Sequence, residues 1–123
     1  MTKLVLDVGN CPPDFAAIRD LVEGNFDAKV VQAHSATDSV QTLENQTVDL
    51  VLVNRKLDQD YSDGIDVIRR IKSDPNLKSA PVMLVTNYED HQQLAIDAGA
   101  ERGFGKLTMS DAATIERLAK YLR

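Results

Sequence analysis

Short apolar runs alternate along the chain with stretches of helical periodicity. The runs predict five strands, at Lys3–Val8, 28–35, Asp49–Asn54, Pro81–Thr86 and 102–106. A nearly continuous apolar run such as the first or third is typical of a central strand that is covered on both faces. The second run, "AKVVQAHS", is weaker and indicates an edge strand.

Between these runs, apolar residues recur at the spacing of a helix face. The segments that predict helices are 11–24, 35–46, 64–74, 89–100 and 110–123. Ser35 or Thr37 is a candidate N-cap of the second helix and Ser110 of the last, and Gly99 is expected to end the fourth. The inward residues of the last helix follow the i, i+3, i+4, i+7 pattern; they are Ile115, Leu118, Ala119 and Leu122.

Strands that alternate with helices predict a parallel sheet with right-handed crossovers and helices on both faces. Five such units in 123 residues predict one doubly wound α/β domain that spans residues 1–123. In folds of this class the functional site lies outside the carboxyl ends of the central strands.

Four polar residues are predicted to meet at that edge of the sheet: Asp7, Asn54, Thr86 and Lys106. One carboxylate, one amide, one hydroxyl and one ammonium group would then lie close together. Asp7 can serve as a ligand or pair with Lys106 across the edge. The Thr86 hydroxyl is expected to hydrogen-bond to the neighbouring backbone, as hydroxyls at strand ends commonly do.

Composition and charge narrow the function classes. The formal net charge is −5 with acids and bases interspersed, so nucleic-acid binding, which needs clustered Lys and Arg, is not expected. No apolar run approaches the ~20 residues that span a bilayer, so a membrane partner is not expected. The single cysteine, Cys11, and the absence of a signal-peptide pattern favour a cytoplasmic location.

The four edge residues, taken in order, are the basis of a resemblance. Together with "VDLVLV" before Asn54, "DGIDVIRRIK" after the loop, "PVMLVT" to Thr86 and "AGAERGFGK" to Lys106, they make the chain resemble the receiver domains of two-component response regulators. The resemblance covers essentially the whole length. It implies a flavodoxin-like (βα)5 fold with strand order 2-1-3-4-5.

The chain departs from the family pattern at four positions. The phosphoacceptor Asp of the family corresponds to Asn54, and the second residue of its acidic pair to Val8. Its common aromatic on the fifth strand corresponds to Gly103, and the Pro of its Lys-Pro pair to Leu107. The Lys106–Leu107 peptide bond is therefore expected to be trans.

These departures remove the family's chemistry. An amide is a poor nucleophile, so phosphorylation at Asn54 is not expected. Mg²⁺ prefers charged oxygen ligands, and only Asp7 remains of the three carboxylates that the family supplies, so Mg²⁺ binding is expected to be weak or absent. The resulting interpretation is a non-enzymatic pseudo-receiver that signals through protein contacts.

Two alternatives stay open. One is a working phosphoacceptor receiver, in which Asn54 is an engineered substitution or a loop carboxylate, Asp58 or Asp60, accepts the phosphoryl group. The other is an unrelated flavodoxin-like ligand binder, but "DVGNCPPD" lacks the glycines of a phosphate-binding loop.

The resemblance implies protein partners, such as a histidine kinase or an output protein. The expected contact face is formed by the fourth helix, the fifth strand and the last helix, with exposed residues such as His91, Arg102, Lys106 and Arg117. Without an acceptor and an aromatic on the fifth strand, this face is expected to hold one conformation. A homodimer is also left open.

Overall fold

Five strands form one parallel sheet in the computed structural model, which describes residues 2–123. The strands are β1 Lys3–Val8, β2 Ala28–Ala33, β3 Leu50–Asn54, β4 Val82–Val85 and β5 Glu101–Phe104. Their order is β2-β1-β3-β4-β5, which confirms the predicted topology and the edge position of β2. β1, β3 and β4 are the central strands, and their residues are buried nearly throughout because helices cover both faces.

Five helices and one 3₁₀ turn connect and cover the strands. They are α1 Pro12–Asn25, α2 Ala36–Asn45, α3 Gly64–Ser73, α4 Glu89–Asp97, the 3₁₀ turn Lys106–Thr108 and α5 Ala112–Leu122. One core lies between the sheet and α2, α3 and α4, and a second lies between the sheet and α1 and α5. Among residues 2–123, no helix has both the length and the apolar character needed to cross a bilayer.

The helix ends follow local hydrogen bonding. Ser35 is the N-cap of α2 and forms a capping box with Asp38, as predicted for Ser35. The predicted cap of the last helix at Ser110 is wrong, because Asp111 is the N-cap residue of α5. The Asp111 carbonyl accepts the amides of Thr114 and Ile115, so the first helical turn closes one residue later than expected.

The last strand is shorter than predicted and irregular. β5 ends at Phe104, and Lys106 begins the 3₁₀ turn instead of ending a strand. Met83 pairs with Glu101 and Val85 with Phe104, so one additional residue of β5 bulges between them. This shift places Phe104 in the core beside α1 and α5, where it is almost fully buried.

Candidate functional site

Three of the four predicted edge residues line one cavity at the carboxyl ends of β3 and β4. Asn54, Thr86 and Lys106 surround this cavity, which has a volume of about 220 Å³. Asp7 does not line it. Three of the predicted side chains therefore surround the cavity, and the fourth, that of Asp7, is buried outside its lining.

Asn54 acts as a hydrogen-bond donor. Its Nδ2 lies 2.7 Å from the Lys56 carbonyl oxygen and 3.3 Å from the Gly9 carbonyl oxygen. Both partners are acceptors only, so the nitrogen of the amide must face them. Asn54 thereby connects the turn after β1 to the loop after β3.

Leu57 fills the space next to this connection. It is almost fully buried, and its side chain and backbone pack so closely on Gly9 that a Cβ there would overlap them. Gly9 has a φ of +77°, a conformation that glycine adopts without strain. The Asp58 amide also donates to the Gly9 carbonyl, at 3.0 Å. The long loop between β3 and α3, residues 55–63, thus packs against Gly9. Gly9 follows the buried Val8, which stands where the family has its second acid.

Asp7 is fully buried, although it is the one acid left from the family's site. Its Oδ1 accepts a hydrogen bond from Asn10 Nδ2, and its Oδ2 has no partner among residues 2–123. Burial raises the pKa of the Asp7 carboxyl to about 7, although the hydrogen bond from Asn10 and the charge of Lys106 each lower it.

Lys106 pairs with Asp14 and not with Asp7, so of the two roles that the sequence left open for Asp7, the pair with Lys106 does not form. Lys106 Nζ lies 2.7 Å from Asp14 Oδ2, and Cys11 Sγ lies 3.2 Å from the same oxygen. The hydrogen bond from Lys106 lowers the pKa of the Asp14 carboxyl. Sequence reasoning did not single out Asp14. The sequence signal that could have identified Asp14 is its position in the first turn of α1, three residues after Cys11.

The Thr86 hydroxyl oxygen accepts a hydrogen bond from the Tyr88 amide at 3.3 Å, as expected for a hydroxyl at a strand end. The neighbouring Gln92 is buried and joins three elements. It donates to the Leu84 and Thr86 carbonyls and accepts from the Gly103 amide. These contacts fix α4 to both β4 and β5.

Gly103 lies too close to β4 to carry a side chain. A Cβ at this position would lie 2.3 Å from the Leu84 carbonyl oxygen. The family's aromatic therefore has no place at residue 103 in this backbone. Phe104 does not substitute for it, because its ring is packed in the core.

The loop carboxylates lie away from the cavity. Asp58 Oδ1 lies 3.7 Å from His34 Nδ1, Asp60 accepts from Ser62, and Asp63 caps α3 through the Ile65 amide. None of the three acids lines the cavity beside Asn54.

The face formed by α4, β5 and α5 carries a groove of about 350 Å³. Arg102 and Arg117 line it, and the Arg102 guanidinium makes two hydrogen bonds to the Glu89 carboxylate. His91 and Lys106 do not line this groove, and both are half-buried instead of exposed. His91 contacts Arg55 and Tyr88, and Lys106 is held by Asp14.

Comparisons with known proteins agree with this geometry. The family model described as "Response regulator receiver domain" matches residues 10–115. No curated protein sequence matches the chain.

Solved structures of low sequence identity share the fold over nearly the whole chain. A protein of Chloroflexus aurantiacus assigned as a response regulator is 17% identical, with 98% of each chain covered and a TM-score of 0.85. A CheY-like receiver domain of Methylobacillus flagellatus is 16% identical, with 98% of each chain covered and a TM-score of 0.78.

A third similar structure is the receiver domain of a sensor histidine kinase from Pseudomonas aeruginosa, with a magnesium ion in its active-site cleft. It is 19% identical, with 98% of each chain covered and a TM-score of 0.78. The family model, the strand order and the cavity at the carboxyl ends of the central strands lead to one conclusion: the chain belongs to the family of response regulator receiver domains.

Proposed function

We propose that this receiver is a pseudo-receiver, a non-enzymatic protein-interaction module that works without phosphorylation at Asn54. The observation that carries the proposal is the direction of the Asn54 amide. Its nitrogen donates to the Gly9 and Lys56 carbonyls, so the group at the acceptor position is a donor engaged in holding two loops. A phosphoacceptor at this position needs a free carboxylate oxygen.

The surroundings of Asn54 also do not fit Mg²⁺. A Mg²⁺ site needs several hard oxygen ligands in octahedral geometry. Here Val8 and Leu57 are apolar and buried, and the buried Asp7 carboxyl does not line the cavity. The Asn54 nitrogen donates hydrogen bonds to two carbonyl oxygens that could otherwise serve as ligands. We therefore expect no saturable Mg²⁺ effect on the amide signals of Asp7 and Asn54 in a titration to physiological concentrations.

The contacts of the loop acids support this proposal over a working receiver with another acceptor. Asp58 faces His34, and Asp60 is bonded to Ser62. Neither acid is held near Thr86 and Lys106, the two groups that would have to assist phosphoryl transfer.

The experiment is incubation with acetyl phosphate and Mg²⁺ followed by intact-mass measurement, with a phosphorylatable receiver as the positive control. The wild-type chain should gain no phosphoryl group. Asn54→Asp should label weakly at best, and Asn54→Asp combined with Val8→Asp should label more, because the second change restores an acid of the metal site. A gain of one phosphoryl group by the wild-type chain would overturn the proposal.

The interaction surface in this proposal is the α4–β5–α5 face, and the partner class is a histidine kinase or an output protein. The groove on this face and the arginines Arg102 and Arg117 support the choice, because arginine is enriched in protein interfaces. A homodimer through the same face is the second form of this contact.

A further inference from the structure

Exposed apolar and aromatic side chains gather in the loops at the carboxyl ends of the strands. Tyr61 follows β3 and is 75% exposed, Tyr88 follows β4 and is 61% exposed, and Leu107 follows β5 and is 84% exposed. In residues 2–123 the only other exposed side chain of this size and kind is Leu94 on α4. Because the strands are parallel, the three loops leave the sheet at the same edge, and we call this surface the carboxyl-end face.

The three loops of the carboxyl-end face contact one another. The Leu107 amide donates to Asn87 Oδ1 at 3.1 Å, which joins the loops after β4 and β5. The Arg55 guanidinium lies 5.9 Å from the centroid of the Tyr88 ring, which joins the loops after β3 and β4. A connected surface of exposed apolar side chains bordered by charged ones is typical of a protein interaction site.

The long loop, residues 55–63, presents Tyr61 from an ordered backbone. The Leu57 amide donates to the Ser62 carbonyl at 2.9 Å, and the Tyr61 amide donates to the Leu57 carbonyl at 3.0 Å. Tyr61 has a φ of 58°, a conformation that residues other than glycine adopt rarely, so these contacts hold it there. An aromatic side chain on an ordered backbone loses little conformational entropy when it binds a partner.

The tip of the long loop, residues 58–63, is the acidic half of the carboxyl-end face. It contains three acids and neither lysine nor arginine. It lies towards β1 and β2, because the Asp58 amide donates to the Gly9 carbonyl after β1 and the Asp58 carboxylate lies 3.7 Å from His34 after β2.

The opposite half of the carboxyl-end face is cationic. Arg55, Lys56 and Lys106 border one cavity between the ends of β3 and β4, and no acid lines it. The Lys56 ammonium has no salt bridge within residues 2–123, whereas Lys106 shares its charge with Asp14. Negative charge therefore lies on the side of β1 and β2, and positive charge lies on the side of β3 and β4.

We propose that two copies of this chain associate through their carboxyl-end faces about a two-fold axis. A two-fold contact sets one surface against itself, so each half of the surface must suit the opposite half of the second copy. The acidic tip of each copy then lies against Arg55 and Lys56 of the other, and the charge pairs form twice. Tyr61, Tyr88 and Leu107 are removed from water in the same contact. This dimer is separate from the α4–β5–α5 face and does not depend on how the protein signals.

The test is sedimentation analysis of the full chain at concentrations from about 1 μM to about 1 mM. We expect a rise from monomer to dimer with concentration, and a weaker dimer at high salt because the charges are screened. Tyr61→Ala should raise the dimer Kd at least about tenfold, the loss typical of an aromatic anchor in an interface. Leu94→Ala is the matched control, because it truncates an exposed apolar side chain outside the face and should leave Kd unchanged.

Charge exchange tests the two-fold pairing itself. Lys56→Glu places an acid opposite the acidic tip, and Gln59→Lys places a base at the tip, so each should raise the dimer Kd about tenfold. The double variant pairs the exchanged charges and should bind more tightly than either single variant. Neither side chain makes a hydrogen bond within residues 2–123, so the internal contacts of the long loop stay in place.

A chain that stays monomeric at every concentration would overturn the proposal. A dimer that persists in Tyr61→Ala and is lost in Leu94→Ala would also overturn it, because that dimer would use the α4–β5–α5 face. The same holds if the double variant recovers no affinity. These measurements contain no phosphodonor, so their result is separate from the acetyl phosphate experiment.

Discussion

Asn54 and Asp7 show how single residues have changed their roles within a receiver fold. The Asn54 amide makes two hydrogen bonds that a carboxylate cannot make, because both of its partners are carbonyl oxygens. Asp7 keeps the acid of the family, but its complete burial leaves one carboxylate oxygen without a partner among residues 2–123. Each of these residues leads to a prediction about stability.

Asn54→Asp should lower the free energy of unfolding at pH 7 by about 1–2 kcal/mol, because a donor is replaced by an anion that faces two carbonyls. Urea denaturation of the variant and the wild-type chain measures the difference. Asn76→Asp is the control, since Asn76 is exposed in a turn. Equal stability of Asn54→Asp and the wild type would show that the two hydrogen bonds contribute nothing.

Asp7 should make the folded state less stable as the pH rises. The pKa of the Asp7 carboxyl is about 7 in the folded state and 3.8 in an unfolded chain, so the folded state binds the proton more tightly. The stabilising contribution of the protonated form is complete below pH 3.8 and is lost as the pH rises to about 7. The full loss is on the order of 4 kcal/mol.

The measurement is the free energy of unfolding of Asp7→Asn and wild type between pH 4 and pH 8. Asp7→Asn should gain stability relative to wild type across this range, because the amide has no proton to lose. Asp20→Asn removes an exposed carboxylate on α1 and is the control. If the difference in the free energy of unfolding between Asp7→Asn and wild type stays constant with pH, the raised pKa of Asp7 is wrong.

At the level of elements, α4 is fixed to the end of the sheet by one buried side chain. Gln92 contacts both β4 and β5, through the carbonyls of Leu84 and Thr86 and the amide of Gly103. Gly103 lets β5 approach β4 closely, since no Cβ stands between it and the Leu84 carbonyl. These contacts leave no space for an aromatic switch at residue 103.

Gln92→Leu should lower the free energy of unfolding by about 2–3 kcal/mol, because it leaves a buried amide and two carbonyls without their partner. Gln93→Leu is the matched control. Gln93 is exposed and, within the described residues 2–123, its side chain bonds only to Asp97 on the same helix, so its loss should cost less than about 0.5 kcal/mol. Thermal or urea unfolding of both variants tests this, and equal losses would mean that the Gln92 contacts are not stabilising.

For the whole molecule, the loss of the acceptor and of the aromatic predicts a single conformation of the α4–β5–α5 face. A population shift needs a ligand that distinguishes two states, and neither a phosphoryl group nor a mobile side chain is expected here. ¹⁵N relaxation dispersion should detect no exchange at Gln92, Arg102 and Gly103. Acetyl phosphate with Mg²⁺ should leave these signals unchanged, and a second set of signals would contradict the prediction.

The α4–β5–α5 face should also be the surface that binds the partner protein without prior phosphorylation. Arg102→Glu and Arg117→Glu should each weaken the capture of candidate histidine kinases or output proteins in a pull-down, because charge reversal places repulsion in the interface. Arg70→Glu on α3 is the charge-matched control. Tyr61 in the long loop is 75% exposed and has a φ of 58°. If binding survives the charge reversals and is lost in Tyr61→Ala, the long loop is the contact surface instead.

The sequence by itself determined the strands, the helices and their order in a receiver fold, and it predicts the loss of acceptor chemistry at Asn54 and Val8. Hydrophobic periodicity is a local property repeated over many residues, so errors at single positions, such as Ser110 for Asp111, do not change the fold. The prediction that Asn54 does not accept a phosphoryl group follows from the residue type alone, because an amide is a poor nucleophile.

Only the tertiary structure decided which polar groups meet. Lys106 and Asp14 are 92 residues apart, and Asn54 and Gly9 are 45 apart, so no local pattern selects these pairs. A hydrogen bond needs its two atoms within about 3 Å. The bulge in β5, the fold of the long loop over Gly9 and the depth of Asp7 set those distances, and each depends on how the elements pack together.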